Sequence, residues 1–281
     1  MIRDVAMEVQ RALGAVGIPS LIRKGIVYQH LAYRRPGVRH FGDMDMFIPI
    51  ASAKPARGVF EHLGFFHGAY AHGTHNLERW GRREAILYRL FPDHLPRYVR
   101  IHDDPFVRVV FVDIATELAW HGSSYTEALR GFLEEQFQSP STVEGMQTMG
   151  LVGHFIDCVL HLYREASFET HIRAGYDVSL RKFLDVLVLW SKLDTSGRAE
   201  VKAVIETYGI ALPVAWVTHH LDALFDSEVS ASLGLEGRLS ERELQTWYSD
   251  NSKPGQWHGT MRQRLFASDR LPLFEPTSVK A

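Results

Sequence analysis

The segment VRVVFVDI, residues 107–114, is the most β-branched stretch of the chain and predicts a buried central strand. Further strand-like segments precede it at IPSLIR, DMDMFIPI, FFHGAY and EAILYRLF. Between them, apolar periodicity predicts helices over about 2–15, 25–34 and 55–63. The segment from Pro92 to Pro105 contains three prolines and several charges, which predicts a loop or an irregular arm.

After about residue 115 the pattern changes from strands to helices. Periodic apolar residues predict helices at roughly 115–137, 145–164, 176–193, 197–208 and 213–225. A run of strands followed by a run of helices indicates an α+β fold. We therefore expect an α/β domain over residues 1–115 and a helical domain over residues 116–281 that ends in a polar segment.

Composition and charge limit the possible functions. The 281 residues carry a formal net charge of −2, which argues against binding along a long nucleic acid because such binding needs a large basic face. The single cysteine, Cys158, permits neither an internal disulfide nor a cysteine-based zinc site. The N-terminus has no signal-peptide pattern, and no run reaches the roughly 18 apolar residues of a membrane span. We expect a cytoplasmic protein without a membrane partner.

Two aspartates, Asp43 and Asp45, open the apolar run DMDMFIPI. Because side chains alternate along a strand, both carboxylates are expected on one face, where their charges repel. A divalent cation such as Mg²⁺ or Mn²⁺ relieves that repulsion, and Asp113 at the end of VVFVD is the best candidate for a third ligand. The alternative is a pair of solvated acids at a strand end, which is the commoner fate of a D-x-D sequence.

A basic stretch lies just before the aspartates. Between Arg23 and Gly42 the chain has no acid and five basic residues, Arg23, Lys24, Arg34, Arg35 and Arg39. The Lys24-Gly25 pair falls between a short predicted strand and a predicted helix. Glycine there allows the backbone to approach a phosphate, and a helix N-terminus adds N–H donors. Together with a metal site, this pattern favours binding of a nucleoside triphosphate.

A strand, a glycine turn, a helix, D-x-D on the next strand and a later single aspartate form the layout of the polymerase-β-like nucleotidyltransferase superfamily, which the chain resembles. More narrowly, LIRKG, R-x-F-G-D-M-D-M-F-I and V-D-I resemble the uncharacterised bacterial nucleotidyltransferase family, whose members carry Lys-Gly where most of the superfamily has Gly-Ser. HLYREASFETH and LRKFLDVLVL resemble the helical half of that family. The resemblance extends over about residues 5–195.

This resemblance implies a mixed-sheet nucleotidyltransferase domain followed by a helical domain that closes over the substrate. It also implies that the metal ligands and catalytic residues are Asp43, Asp45 and Asp113, with Asp113 helping to deprotonate an acceptor hydroxyl. One departure concerns position 115, which is Ala115 where the family often has a histidine.

The resemblance further implies the residues that bind the nucleotide. Lys24 and the backbone of Gly25 would hold the triphosphate, and Arg39 would neutralise the β- or γ-phosphate. The expected activity is metal-dependent transfer of a nucleoside monophosphate from an NTP such as ATP to a hydroxyl of a small molecule, peptide or protein, with release of pyrophosphate. Two alternatives stay open: a metal-dependent phosphohydrolase, and a non-catalytic binding or scaffold protein that retains the fold.

Overall fold

The computed structural model describes residues 1–35, 37–71, 76–81, 94–102, 104, 107–249 and 253–274. The chain is α+β, with a mixed sheet in its N-terminal part and helices in its C-terminal part. Its contacts divide it into two compact units, residues 1–154 and residues 155–281. The sequence predicted a metal-binding domain over residues 1–115 and a substrate-closing domain over residues 116–281. These two functional roles stay predictions.

The first unit contains the sheet, whose eight described strands have the order β4-β3-β5-β6-β2-β1-β8-β7. These strands are β1 Leu21–Arg23, β2 Met44–Phe47, β3 Phe66–Ala71, β4 Asn76–Arg79, β5 Tyr98–Ile101, β6 Val109–Ala115, β7 Ser141–Val143 and β8 Met146–Thr148. β2 pairs in parallel with β6, and β1 pairs in parallel with β8. The remaining neighbours are antiparallel, so the sheet is mixed.

The helices of the first unit precede the first strand or lie between strands. They are α1 Ile2–Ala15, α2 Gly25–Tyr28 with a π-helical continuation at Gln29–Tyr33, a 3₁₀ turn at Ile50–Ser52, α3 Ala53–His62 and α4 Ser124–Gln138. In α1 the buried residues Val5, Val9 and Leu13 recur every four positions, which places one apolar stripe against β8 and α3. The predicted helix over 2–15 is therefore confirmed.

The central position predicted for the VRVVFVDI strand is also confirmed, because β6 lies between β5 and β2. Val110, Val112 and Ile114 are buried on one face of β6. Phe111 and Asp113 alternate with them and occupy the opposite face, which is only partly covered. This alternation gives the strand a core face and a face on which charged groups can gather.

Three local predictions were wrong in their extent. The arm predicted from Pro92 to Pro105 contains β5, which pairs with β3 and β6. The helix predicted from about 115 begins at Ser124, where the Ser123 hydroxyl accepts a hydrogen bond from the Tyr125 amide and caps it. The helix predicted from about 145 begins at Leu151. The strand predicted at EAILYRLF lies outside the described residues.

The hairpin of β7 and β8 explains the third error. Glu144 and Gly145 both have positive φ, 50° and 84°, as a tight two-residue hairpin requires. Val143 and Met146 close the pair, and β8 then adds to the sheet beside β1 through Ile22 and Thr148. Short strands of three residues carry too little alternation to distinguish them from a helix start.

The second unit is mainly helical. Its elements are the remainder of α5 Leu151–Ser167, then α6 Glu169–Arg173, α7 Leu180–Lys192, α8 Thr195–Tyr208, α9 Ala211–Phe225, α10 Val229–Leu233, α11 Glu241–Leu244, β9 Thr246–Tyr248, β10 Pro254–Gln256, α12 Met261–Phe266 and a 3₁₀ turn at Leu271–Leu273. The helices predicted at 176–193, 197–208 and 213–225 are confirmed as α7, α8 and α9. No helix in the described part of the chain is long and apolar enough to cross a membrane.

Candidate active site

A row of paired residues crosses the strands on the partly covered face of the sheet. Arg23 on β1 pairs with Asp45 on β2, and Asp45 pairs with Asp113 on β6. Directly paired residues project to the same side of a sheet, so these three side chains are neighbours. Arg97 extends the row, since it precedes Tyr98, which pairs with Val112. The sequence prediction that a neighbouring strand brings Asp113 beside the D-x-D pair is therefore confirmed.

Two of the three predicted carboxylates form ion pairs with side-chain cations. Lys24 Nζ lies 2.9 Å from Asp45 Oδ1, and both side chains are 14% exposed. Arg97 binds Asp113 with two hydrogen bonds, from Nε to Oδ1 at 2.7 Å and from Nη2 to Oδ2 at 2.8 Å. A planar guanidinium that meets a carboxylate in this two-point geometry forms one of the stronger ion pairs in proteins.

Asp43 immediately precedes β2, and its surroundings raise its pKa. Burial and, after it, the negative charges of Asp45 and Asp113 raise the pKa of Asp43 from 3.8 to about 6, against the lowering effect of Lys24 and Arg97. A carboxyl group in this state resists ionisation beside its two neighbours. An added cation would remove the conflict.

Asp45 behaves in the opposite way. Burial alone would raise its pKa, but the charges of Lys24 and Arg23 outweigh that effect, and the pKa is lowered from its usual value. The hydrogen bond from Lys24 acts in the same direction. Asp45 is consequently held as a carboxylate. The pKa values of Asp45 and Asp43 shift in opposite directions because Lys24 forms its ion pair with Asp45.

The Lys24-Gly25 pair shapes the entry to α2. Lys24 adopts φ 52° and ψ −130°, a left-handed conformation that is costly for a residue with a side chain. Its carbonyl oxygen accepts a hydrogen bond from the Tyr28 amide at 2.8 Å, which starts the helix. A Cβ on Gly25 would lie 2.6 Å from Cβ of Phe41, so this position admits only glycine without movement of the loop that leads to Asp43.

We predict that Gly25→Ala lowers the free energy of unfolding by about 1–3 kcal/mol, because the added methyl group overlaps the Phe41 side chain. Gly42→Ala is the matched control, since a Cβ there meets nothing within 4 Å. Urea unfolding of both variants measures the difference. Equal stability of the two variants would contradict the packing argument.

Arg39 lies on the loop between α2 and β2 and is half-buried. Its guanidinium Nη1 donates a hydrogen bond to the carbonyl oxygen of His40. Arg34 and Arg35, at the beginning of the same loop, are exposed. The role of Arg39 toward a β- or γ-phosphate stays a prediction.

Sequence reasoning missed two residues at this site, His94 and Arg97. The charge of His94 contributes to the lowered pKa of Asp45, and His94 forms an isolated β-bridge with Ala115. Both residues lie in the proline-containing segment that was predicted to be an irregular arm. Only the tertiary register of β5 beside β6 brings them to the acids, so no local signal in the sequence could have identified them.

The donor set suits a hard divalent cation, since three carboxylates meet at one edge of two parallel strands. As the side chains stand, however, no three His, Cys, Asp or Glu residues within the described ranges are arranged to hold a metal ion. Asp45 and Asp113 are turned toward Lys24 and Arg97 instead. The three carboxylates are therefore suitable ligands for a divalent cation once the Lys24–Asp45 and Arg97–Asp113 ion pairs separate.

A buried chain of hydrogen bonds connects His154 to β1 through Thr148. The Thr148 hydroxyl donates to the Ile22 carbonyl oxygen at 2.7 Å, which leaves its oxygen to accept from His154 Nε2 at 2.5 Å. Burial, aided by the charge of Arg23, lowers the pKa of His154 from 6.5 to about 3. The imidazole is thus held neutral, with its proton on Nε2, in the layer that carries Arg23.

This burial makes the stability of the first unit sensitive to acid. Because the pKa of His154 in the folded state is below 6.5, its contribution is present above that pH and is lost as the pH falls toward 3. Between about pH 7.5 and pH 5 we expect a loss of about 2 kcal/mol from this group. Urea unfolding at the two pH values, compared between wild type and His154→Gln, measures it, since the contribution of Asp43 is common to both and cancels. A constant difference between the two proteins would refute the prediction.

The model of the uncharacterised nucleotidyltransferase family matches residues 1–226. Among solved structures, an antigenic nucleotidyltransferase-like protein from Paracoccidioides brasiliensis aligns with a TM-score of 0.41 and 12% sequence identity, over 83% of this chain and 92% of that one. No curated protein matches the sequence significantly.

Proposed function

Since the chain belongs to the uncharacterised nucleotidyltransferase family, we propose that it transfers a nucleoside monophosphate from an NTP to a hydroxyl group and releases pyrophosphate. The observation that carries the proposal is the pairing of Asp45 with Asp113 on adjacent parallel strands, with Asp43 two residues before Asp45. Three carboxylates at one strand edge have the composition of a site for two divalent cations in phosphoryl transfer.

Asp43, Asp45 and Asp113 would hold Mg²⁺ or Mn²⁺. When bound, these ions would supply positive charge to the reacting phosphate oxygens. Asp113 would also take part in removing the proton from the acceptor hydroxyl, whose oxygen then bonds to the α-phosphorus as the bond to the β-phosphate oxygen breaks. Most of the catalysis would come from positioning and charge neutralisation.

The basic residues would hold the leaving group. Lys24, which pairs with Asp45, would bind the triphosphate with the backbone of Gly25, while Arg39 would neutralise the β- or γ-phosphate. The strained φ of 52° at Lys24 supports a functional reason for lysine at a position where glycine would be easier to fold.

The acceptor is proposed to be a small molecule, a peptide or a protein. The net charge of −2 argues against a long nucleic acid. Within the described residues the cations nearest the acids, Arg23, Lys24 and Arg97, face carboxylates and do not form an extended basic surface.

The test uses ATP and the other NTPs labelled at the α- or the γ-phosphate, incubated with Mg²⁺ and pooled hydroxyl-bearing small molecules, peptides and proteins. We expect the α-label to move to an acceptor and the γ-label to appear in pyrophosphate, with both lost in Asp45→Asn. Release of inorganic phosphate that survives Lys24→Ala would favour the phosphohydrolase. Binding of an NTP without any turnover would favour the non-catalytic alternative.

A further inference from the structure

The three acids of the candidate site are surrounded by positive side chains. Lys24 forms an ion pair with Asp45 and Arg97 forms one with Asp113, while the charges of Arg23 and His94 also act on Asp45. A divalent cation that enters alone therefore meets a cluster in which two of the three carboxylates, Asp45 and Asp113, are already paired with side-chain cations. It gains little attraction unless one of the side-chain cations leaves its carboxylate.

Arg97 combines a fixed backbone position beside Asp113 with a partly exposed side chain. Its backbone is fixed, since the Leu95 amide donates to the Ile114 carbonyl oxygen at 2.8 Å and Tyr98 pairs with Val112. Its side chain is 40% exposed, against 25% for Asp113, and its guanidinium lies 5.5 Å from the centre of the Phe111 ring. Rotation of the side chain alone can therefore move the guanidinium from the carboxylate to a ligand in the adjacent solvent.

Lys24 forms an ion pair with Asp45 as Arg97 does with Asp113, but the Lys24 pair is less exposed. Its ammonium group lies 2.9 Å from Asp45 Oδ1 with both side chains 14% exposed. A lysine that loses this carboxylate needs another anion at once, because an uncompensated charge at that burial is costly. A bare metal ion supplies no such anion, whereas a triphosphate does.

We propose that Lys24 and Arg97 are internal counter-ions that a metal–nucleoside triphosphate complex displaces from Asp45 and Asp113, so that metal and nucleotide bind strongly only together. The inference rests on the proposed function and adds that the binding of the metal and the binding of the nucleotide depend on each other. The carboxylates pass from the side-chain cations to the metal, and the released ammonium and guanidinium groups turn to the phosphates. Arg97 is thereby assigned a role in substrate binding that the sequence did not indicate.

In this arrangement, binding of the nucleotide raises the affinity for the metal, and binding of the metal raises the affinity for the nucleotide. Loss of a counter-ion should tighten the binding of bare metal and weaken the binding of the metal–nucleotide complex, two changes of opposite sign. A purely structural ion pair predicts no tightening of metal binding. The size of such couplings, about 5- to 150-fold in affinity, makes the difference measurable.

The test is a titration of the protein with Mn²⁺, followed by the electron paramagnetic resonance signal of the unbound ion, without and with each NTP. In Arg97→Met and Lys24→Met we expect the affinity for Mn²⁺ alone to rise about tenfold or more, and the affinity for Mn²⁺–NTP to fall. Arg97→Gln serves if the methionine variant does not fold. Arg100→Met is the matched control, because Arg100 lies on β5, which begins directly after Arg97, but pairs with Glu8 and should change neither affinity.

The outcomes separate this inference from the proposed function. Binding of Mn²⁺–NTP by the wild type, with no gain in Mn²⁺ affinity in the Arg97 and Lys24 variants, would overturn the inference alone. Failure of the wild type to bind any Mn²⁺–NTP would overturn the proposed function and the inference with it. A gain in Arg100→Met equal to that in Arg97→Met would also overturn the inference, since the effect would then be one of general charge.

Discussion

Asp43→Asn is expected to stabilise the protein while removing its proposed activity. The folded state holds the pKa of Asp43 at about 6 instead of 3.8, chiefly because the carboxyl is buried and secondarily because Asp45 and Asp113 repel its charge. For a raised pKa, the contribution to stability is fully present below pH 3.8 and is lost as the pH rises through about 6. Above that pH the ionised carboxylate of Asp43 lowers the free energy of unfolding, and asparagine, which has no charge, does not.

The expected gain for Asp43→Asn near pH 8 is at most about 3 kcal/mol, with a loss of transfer activity on the order of 100-fold or more because a proposed metal ligand is removed. Urea unfolding near pH 8 and near pH 4, with the transfer assay at the higher pH, measures both effects. The gain should vanish near pH 4, where aspartic acid is itself neutral. A destabilised Asp43→Asn near pH 8 would contradict this description of the site.

The second large effect is expected in the C-terminal unit, where Asp177 is fully buried between two arginines. Arg264 Nε donates to Asp177 Oδ2 at 2.9 Å with both side chains 0% exposed, and Arg270 donates to Oδ1. The Arg264 guanidinium also lies over the Trp257 and Phe274 rings at 5.2 and 4.8 Å. This pair joins the segment before α7 to α12.

Removal of Asp177 leaves the buried Arg264 without its counter-charge, and removal of Arg264 leaves Asp177 with Arg270 alone and also removes the packing on the Trp257 and Phe274 rings. We expect Asp177→Asn and Arg264→Met each to lower the free energy of unfolding by about 3–5 kcal/mol. The double variant should lose less than the sum of the two, since neither charge is then stranded. Urea unfolding of the single and double variants gives this coupling.

Arg173→Met is the control for that experiment, because Arg173 pairs with Glu169 on the surface of α6 and is itself 60% exposed. Exposed pairs of this kind contribute about 0–1 kcal/mol. Additive losses in the Asp177 and Arg264 variants would show that the two side chains act independently, and would refute the role of the pair.

The part of the site that could be predicted from sequence is the part carried by strands. Period-two alternation placed Asp43 and Asp45 on one face, and the β-branched run ending at Asp113 identified β6 as the central strand that β2 pairs with. The Lys24-Gly25 turn was likewise visible, because glycine between a strand and a helix is a local signal.

The rest of the site depends on tertiary register, which local patterns do not encode. Arg97 reaches Asp113 because β5 lies beside β6, although the surrounding prolines indicate a loop. The β7 and β8 hairpin joins the sheet through β1, over a sequence separation of more than a hundred residues between Ile22 and Thr148. The ion pairs at Asp45 and Asp113 are equally invisible in the sequence, because they depend on side-chain partners from different strands.

The most direct test of the central claim is calorimetric titration of the purified protein with each NTP, with and without Mg²⁺, repeated on Asp43→Asn/Asp45→Asn. We expect Mg²⁺-dependent binding of at least one NTP by the wild type and no binding by the double variant. A wild type that binds no NTP, or a double variant that binds one as tightly as the wild type does, would contradict the proposed function.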